Sequence, residues 1–300
     1  MKQNSLAERA GRMKIGIIGS DNSHAKVFAK ALNVENHAEY ATDRITHIWG
    51  TDATETADKV TDGKIPNVAE NPTDMIGQVD AAILVLRHGG LHLQHALPYL
   101  AAKVPLFIDK PLTTTTADAR VLLEQVDKFQ VPMTSFSTVR YDSSVQNLKN
   151  SLPEFGAVTS GDVAGIIVPT SSQYGGMIFY GIHVTEVLLE LFGYGVEKIW
   201  ATEVNENTIA IASYPTAVVT LHFLGQASYF FSATVHGKEK SIYQKADTGD
   251  NFPQGLKRIM EMFRTGKKDL TYAQLFEPVA IHAAIEKSLK EKREVKVEKF

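Results

Sequence analysis

Lys14-Ile-Gly-Ile-Ile-Gly-Ser-Asp-Asn-Ser-His24 decides the fold. An Ile-rich run reaches a glycine and gives way to a helix start, so the stretch reads as a buried strand, a tight turn and the first turn of a helix. In doubly wound sheets a dinucleotide pyrophosphate meets unpaired N–H groups and the positive dipole end of the helix at that turn. Gly19 supplies the turn, but Asp21 and His24 stand where the second and third glycines of G-x-G-x-x-G are expected. Asp21 puts negative charge where a phosphate would approach, while Asn22 and Ser23 can cap the helix or donate hydrogen bonds. Gly19, Ser20, Asp21, Asn22, Ser23 and His24 form the candidate cofactor loop. A loop that only caps a helix is the alternative.

The following segments repeat the alternation of strand and helix. Arg44-Trp49, Ala81-Leu86, Leu106-Ile108 and Met133-Ser137 are short apolar runs of the kind found in buried parallel strands. Between them, Leu93, Ala96, Leu97, Leu100 and Ala101 recur at helical spacing, as do Ala119, Leu122, Leu123, Val126 and Phe129. Alternating β and α elements predict a parallel sheet with helices on both faces.

Past Asn150 the texture changes. Ala157-Ile167, Glu197-Val204, Thr208-Tyr214, Ala217-Leu224, Ser228-Val235 and Ser241-Ala246 are β-rich runs at hairpin spacing, broken at Tyr214-Pro215-Thr216 and His236-Gly237-Lys238. Helices are expected over Ile178-Phe192, Gly255-Arg264 and Glu277-Glu291, with Lys287-Lys299 a solvated helix end. The predicted architecture is α/β: a tail over 1–12, a Rossmann-like domain over 13–140, and an α+β domain with a mainly antiparallel sheet over 141–300.

Composition narrows the function classes. The chain of 300 residues is 44% hydrophobic and 22% charged, which suits two globular cores. Its formal charge is -3, with acids and bases nearly balanced in both halves, so neither half looks like a nucleic-acid binder. Cysteine is absent, which excludes disulfides, thiolate metal sites and a cysteine nucleophile. Met1-Arg12 lacks the apolar core of a signal peptide and no run is long enough for a membrane span, so the sequence predicts a cytoplasmic protein with no membrane partner.

Phe107-Ile108-Asp109-Lys110-Pro111-Leu112 carries the strongest chemistry. Proline holds Lys110 extended at the carboxyl end of a parallel strand, where ligands of such sheets bind. An amine there can donate to an alcohol or carbonyl oxygen, and desolvation lowers its pKa toward a range useful for proton transfer. In the second half, Gly181-Ile-His183 near a helix start offers an imidazole, with Glu186 three residues on. Asp52 is a late candidate for the ribose-binding acid after the second strand, or a helix cap. His88, His92 and His95 cluster beside Arg87, which discourages a cation, and no metal is expected there.

The order of these parts resembles the GFO/IDH/MocA family. The resemblance rests on Ile-Gly-Ile-Ile-Gly19, Val79-Asp-Ala-Ala-Ile-Leu-Val with His92, Asp109-Lys-Pro-Leu, Val131-Pro-Met, Arg140-Tyr141 and Tyr180-Gly-Ile-His183. It is closest to a branch in which an Asp-x-Ser-His loop, here Asp21-Asn22-Ser23-His24, replaces the glycine pattern. It implies an NAD(P)-dependent oxidoreductase moving hydride between NAD or NADP and a sugar, polyol or related small hydroxy compound. Lys110, His183 and Tyr180 would then be catalytic. The cofactor would lie against the 19–24 loop, Asp52, Arg87, His88, Asp109 and Lys110, and the substrate against Lys110, Arg140, Tyr180 and His183 in the interdomain cleft.

Family members often place an aspartate one helical turn before the histidine, and this chain has Phe179. The resemblance also implies a cis Lys110-Pro111 bond. Pairing of the C-terminal sheet into a homo-oligomer, dimer or tetramer, is expected from apolar residues at both alternating positions of its strands. The rival reading is a non-enzymatic ligand-binding or regulatory protein on the same fold that has lost its dinucleotide.

Overall fold

The computed structural model describes residues 12–35, 40 and 42–300, with backbone alone at 169 and 170; the tail expected over 1–12 falls outside it except for Arg12. The chain forms two compact units, each built from separate segments. One holds the described residues up to Thr113 with Arg120–Ser135 and Leu256–Thr271. The other holds Thr114–Ala119, Phe136–Gly255 and Tyr272–Phe300.

The first unit contains β1 (Lys14–Ile18), α1 (Ser23–Asn33), β2 (Arg44–Trp49), α2 (Ala53–Gly63), β3 (Asn67–Val68), β4 (Ala81–Leu84), α3 (His92–Ala101), β5 (Leu106–Asp109), most of α4 (Thr116–Phe129) and β6 (Met133–Phe136). Sheet order is β3-β2-β1-β4-β5-β6, and the pairings of β1 with β2 and β4, of β2 with β3 and of β4 with β5 are parallel. The order reverses next to β1, the switch point at whose carboxyl edge ligands of such sheets bind. Strands β4 and β5 are buried at every residue, as expected of parallel strands covered on both faces. Asn33 closes the first βαβ unit: its amide donates to Ile45 O (2.9 Å) and Gly63 O (2.8 Å), and its oxygen accepts from Ile45 N. The two-residue strand β3 has no periodicity that sequence reading could detect.

The second unit carries α5 (Ser143–Ser151), β7 (Val158–Ile166), α6 (Ile178–Phe192), β8 (Lys198–Val204), β9 (Asn207–Ser213), β10 (Val218–Leu224), β11 (Phe231–Gly237), β12 (Ser241–Ala246), the start of α7 (Asn251–Thr265), α8 (Tyr272–Glu291) and β13 (Val295–Lys296). Its sheet runs β12-β11-β7-β10-β9-β8-β13, antiparallel except where β10 meets β7. Helix α6 is buried along nearly its whole length; Gly181 lets it approach, since a Cβ there would lie 2.9 Å from His282 and 3.0 Å from Phe223.

Three expectations shift. Helix α8 ends at Glu291, and the tail expected as a solvated helix end instead adds β13 to the sheet through Val295 opposite Ile199. The strand expected from Ser228 begins at Phe231. Helix α5 was unforeseen because it buries only Val145 and Leu148; Asp142 caps it by accepting from Ser144 N.

Candidate active site

Gly19 turns the chain at φ 111°, and a Cβ there would lie 2.8 Å from Leu86 N, so this position requires glycine. Asp21 faces inward, its two carboxylate oxygens accepting from Arg87 N at 3.2 and 3.3 Å. Asn22 caps α1 through His24 N (3.1 Å) and also donates to Asp109. His24 donates from Nδ1 to Asp109 Oδ2 at 2.8 Å. Ser20 is buried and accepts from Thr56 Oγ1, whereas Ser23 is exposed. Asp52 caps α2 by accepting from Glu55 N (2.8 Å).

Asp109 ends β5 fully buried. Burial raises its pKa, but the charge and hydrogen bond of His24, then Lys110 and His92, outweigh that and leave it below the ordinary aspartate value. Lys110 follows at 4% exposure, joined to Pro111 by a cis bond. Burial pushes its ammonium below the usual lysine range, Asp109 opposes, and Arg87 adds to the fall. His92 pins the loop beyond: Nδ1 lies 2.8 Å from Pro111 O and Nε2 lies 2.8 Å from Leu86 O. Burial pushes its pKa down, and the carbonyls oppose it. His88 caps the turn Gly89–Leu91, its Nδ1 accepting from Gly90 N. The first unit therefore gathers Asp21, Asn22, His24, Arg87, Asp109 and Lys110 through direct contacts and shared charge.

In the second unit His183 sits on the second turn of α6 at 6% exposure. Its Nδ1 lies 2.6 Å from the hydroxyl of Ser137. The rings of Tyr180 and Phe231 each lie 5.2 Å from the imidazole. Phe179 packs on Tyr174 at 4.8 Å, an apolar contact where an aspartate was the alternative.

Arg140 is 1% exposed. It donates to Glu186, to Glu190 (2.8 Å from Nε) and to Tyr194 (2.9 Å). Glu190 also accepts from Lys149 (2.6 Å) and Gln146 (2.8 Å). Burial raises Glu190, but Arg140 and the hydrogen bonds of Lys149 and Gln146 bring it down to about 2. Glu186 has fewer donors, and burial holds it above its ordinary value despite Arg140.

Residues 13–136 match the family model GFO_IDH_MocA, described as an oxidoreductase family with an NAD-binding Rossmann fold. The N-terminal domain is a GFO/IDH/MocA Rossmann domain. No curated protein matches the chain in sequence. Among solved structures it is similar to a probable dehydrogenase from Thermotoga maritima, with TM-score 0.82 and 17% identity over 95% of this chain and 99% of that one. It is similar to scyllo-inositol dehydrogenase from Lactobacillus casei, solved with NAD(H) and scyllo-inositol, at TM-score 0.83 and 15% identity over 95% and 99%. A levoglucosan dehydrogenase in complex with NADH and L-sorbose gives TM-score 0.84 and 13% identity over 97% and 100%. At these identities the likeness establishes the fold across the whole chain.

The turn after β1 lies within the residues that the family model matches. The Asp21 carboxylate, read from the sequence as an obstacle, is oriented by the Arg87 amide, which is neutral and leaves its charge in place. The N-terminus of α1 offers its dipole and N–H groups for a pyrophosphate. Sequence reading missed Ser137 and the Glu190 partner of Arg140. Ser137 carries no local signal, since its partner lies 46 residues away; Glu186 and Glu190 at i and i+4 on an apolar helix were the available hint of a buried cation.

Proposed function

We propose that this protein is an NAD(P)-dependent oxidoreductase that transfers hydride between a nicotinamide and the hydroxyl-bearing carbon of a sugar, polyol or related small hydroxy compound. Lys110 carries the reading: a lysine only 4% exposed at the carboxyl end of β5, lowered in pKa by burial, on a family domain described as NAD-binding. A surface lysine at a turn would show neither property. The 19–24 loop and the N-terminus of α1 would hold the pyrophosphate, and the ends of β4 and β5 the rest of the dinucleotide. When bound, the nicotinamide supplies the hydride acceptor or donor. Lys110, its pKa lowered by burial, takes the substrate hydroxyl proton in the oxidative direction and returns it in reduction.

His183 and Tyr180 are assigned to the substrate oxygen. Arg140 supports rather than touches the substrate, because its guanidinium is committed to Glu186, Glu190 and Tyr194. Asp52 and Ser20 act in the framework through their cap and their bond to Thr56. The reading includes a cytoplasmic location, where NAD(P)(H) is supplied; among the described residues no helix is long and apolar enough to cross a membrane.

A homo-oligomer through the outer face of the C-terminal sheet is part of the proposal. Trp200 at 41% and Val218 at 46% exposure, with half-buried Ile209 and Ile211 between them, form an apolar face on β8, β9 and β10. Light scattering of wild type and Ile211→Lys should give an assembly and a smaller species respectively.

The test of function is calorimetric titration with NAD(H) and NADP(H), followed by a dehydrogenase screen across cyclic polyols and aldoses. No dinucleotide binding at millimolar concentration would overturn the proposal and favour the non-enzymatic alternative.

A further inference from the structure

We propose that neutral His183 carries its proton on Nε2, because the buried Ser137 hydroxyl donates to Nδ1, and that it serves the substrate oxygen as a hydrogen-bond donor rather than as a proton acceptor. The inference rests on the oxidoreductase reading for the role and on the geometry alone for the tautomer.

Ser137 is fully buried, with Oγ 2.6 Å from His183 Nδ1. That oxygen already accepts from Val139 N at 3.2 Å. Among the described residues its own proton has one acceptor, Nδ1. With the opposite arrangement, Nδ1–H donating to Oγ, a buried hydroxyl proton would go unpaired, at about 1–3 kcal/mol. The inventory therefore assigns the lone pair to Nδ1 and the hydrogen to Nε2.

Ser137 cannot easily turn away. Its backbone N–H is hydrogen-bonded to Glu186, which Arg140 holds from the other side. The next residue, Thr138, accepts from Asn251 Nδ2 at 2.8 Å. The imidazole is held as well, between the rings of Tyr180 and Phe231. A carboxylate one helical turn earlier would have accepted Nδ1–H and left Nε2 as a base; Phe179 has no such acceptor.

The chemistry then divides between two groups. A bound nicotinamide would accept the hydride, and Lys110 would accept the hydroxyl proton as the alcohol becomes a carbonyl. His183 keeps its proton throughout and stabilises the negative charge that develops on oxygen. Ser137 is the positioning residue that sets this tautomer.

Two measurements test the proposal. In protein labelled with 15N-histidine, long-range proton–nitrogen correlation should show neutral His183, identified by its loss in His183→Gln, with Nδ1 unprotonated and Nε2 protonated. Ser137→Ala should erase that bias and Ser137→Thr restore it. A wild-type spectrum with Nδ1 protonated overturns the proposal whether or not any variant folds.

The second measurement uses the turnover substrate. The amide of His183→Gln can mimic the Nε2 donor but cannot act as a base, so it should retain at least about tenfold more kcat than His183→Leu. Equal loss in both would overturn the donor role. A protein with the expected tautomer but no dinucleotide binding would sink the oxidoreductase reading and leave the Ser137–His183 assignment standing.

Discussion

His24 Nδ1 donates to Asp109 Oδ2 across 2.8 Å, joining the first turn of α1 to the end of β5 over 85 positions of sequence. Glycines in this turn ordinarily let the backbone approach a pyrophosphate. Here a histidine and a carboxylate brace the same turn from the side, with Asn22 as second donor.

His24→Ala should therefore destabilise the protein by about 1.5–3 kcal/mol, the usual range for a hydrogen bond to a charged group, because it removes a hydrogen-bond donor from a buried carboxylate. Ser23→Ala, at an exposed position, should fall within about 0.5 kcal/mol. Denaturant unfolding of both variants provides the comparison, and equal effects would count against the brace. Calorimetry on the same proteins should show weaker dinucleotide binding in His24→Ala only.

Lys110→Met should lower turnover by about 10²–10⁴, the usual contribution of a positioned proton-transfer group. It should also raise thermal stability, since an ammonium disfavoured by burial gives way to an apolar chain of similar length. The sign in pH follows from the lowered pKa. The folded state sheds this proton before the unfolded state does, so wild type gains stability as pH rises from the folded value toward the ordinary lysine value. Melting curves of wild type and Lys110→Met should converge over that window, and a constant gap would show that Lys110 is not desolvated.

The architecture was legible in the sequence because buried parallel strands and helices write their periods locally. Strand β2 has the bounds expected, and α6 runs over Ile178–Phe192 as read. The lysine was legible for a related reason: Pro111 and the apolar run before it fix where Lys110 stands on the sheet. The partners were not. Neither the bond from Arg87 N to Asp21 nor the pairing of Arg140 with Glu186 and Glu190 could be read from the sequence. Such pairings depend on contacts between distant segments, which no local period encodes.

Glu190→Ala should cost about 3–5 kcal/mol, as expected when one partner of a buried ion pair is removed and the other charge remains. Glu190 is held at about 2, below the ordinary glutamate value, so its contribution is complete above about pH 4.5 and lost as pH falls toward 2. Glu186 is raised and opposes this in part, since its protonation relieves a buried charge. Urea unfolding at pH 7 and pH 3 should show the Glu190→Ala deficit shrinking with acid. A deficit independent of pH would place its origin in packing rather than charge.

His282 gives the clearest pH prediction. It is 1% exposed, and burial pushes its pKa down to about 3, with the Gly181 backbone opposing. Its Nε2 meets Thr185 Oγ1 at 2.9 Å, while Nδ1 has no hydrogen-bond partner among the described residues. The native ring is therefore neutral. The unfolded chain takes up a proton near pH 6.5 and the folded chain does not, so stability is intact above about 6.5 and falls by roughly 1.4 kcal/mol per unit below it until the folded value is reached. His282→Gln keeps a hydrogen-bond partner for Thr185 and removes the titration, so its unfolding free energy should decline less steeply between pH 6.5 and 4 than that of wild type. Parallel declines in the two proteins would mean that His282 does not titrate on unfolding and that the acid sensitivity lies elsewhere.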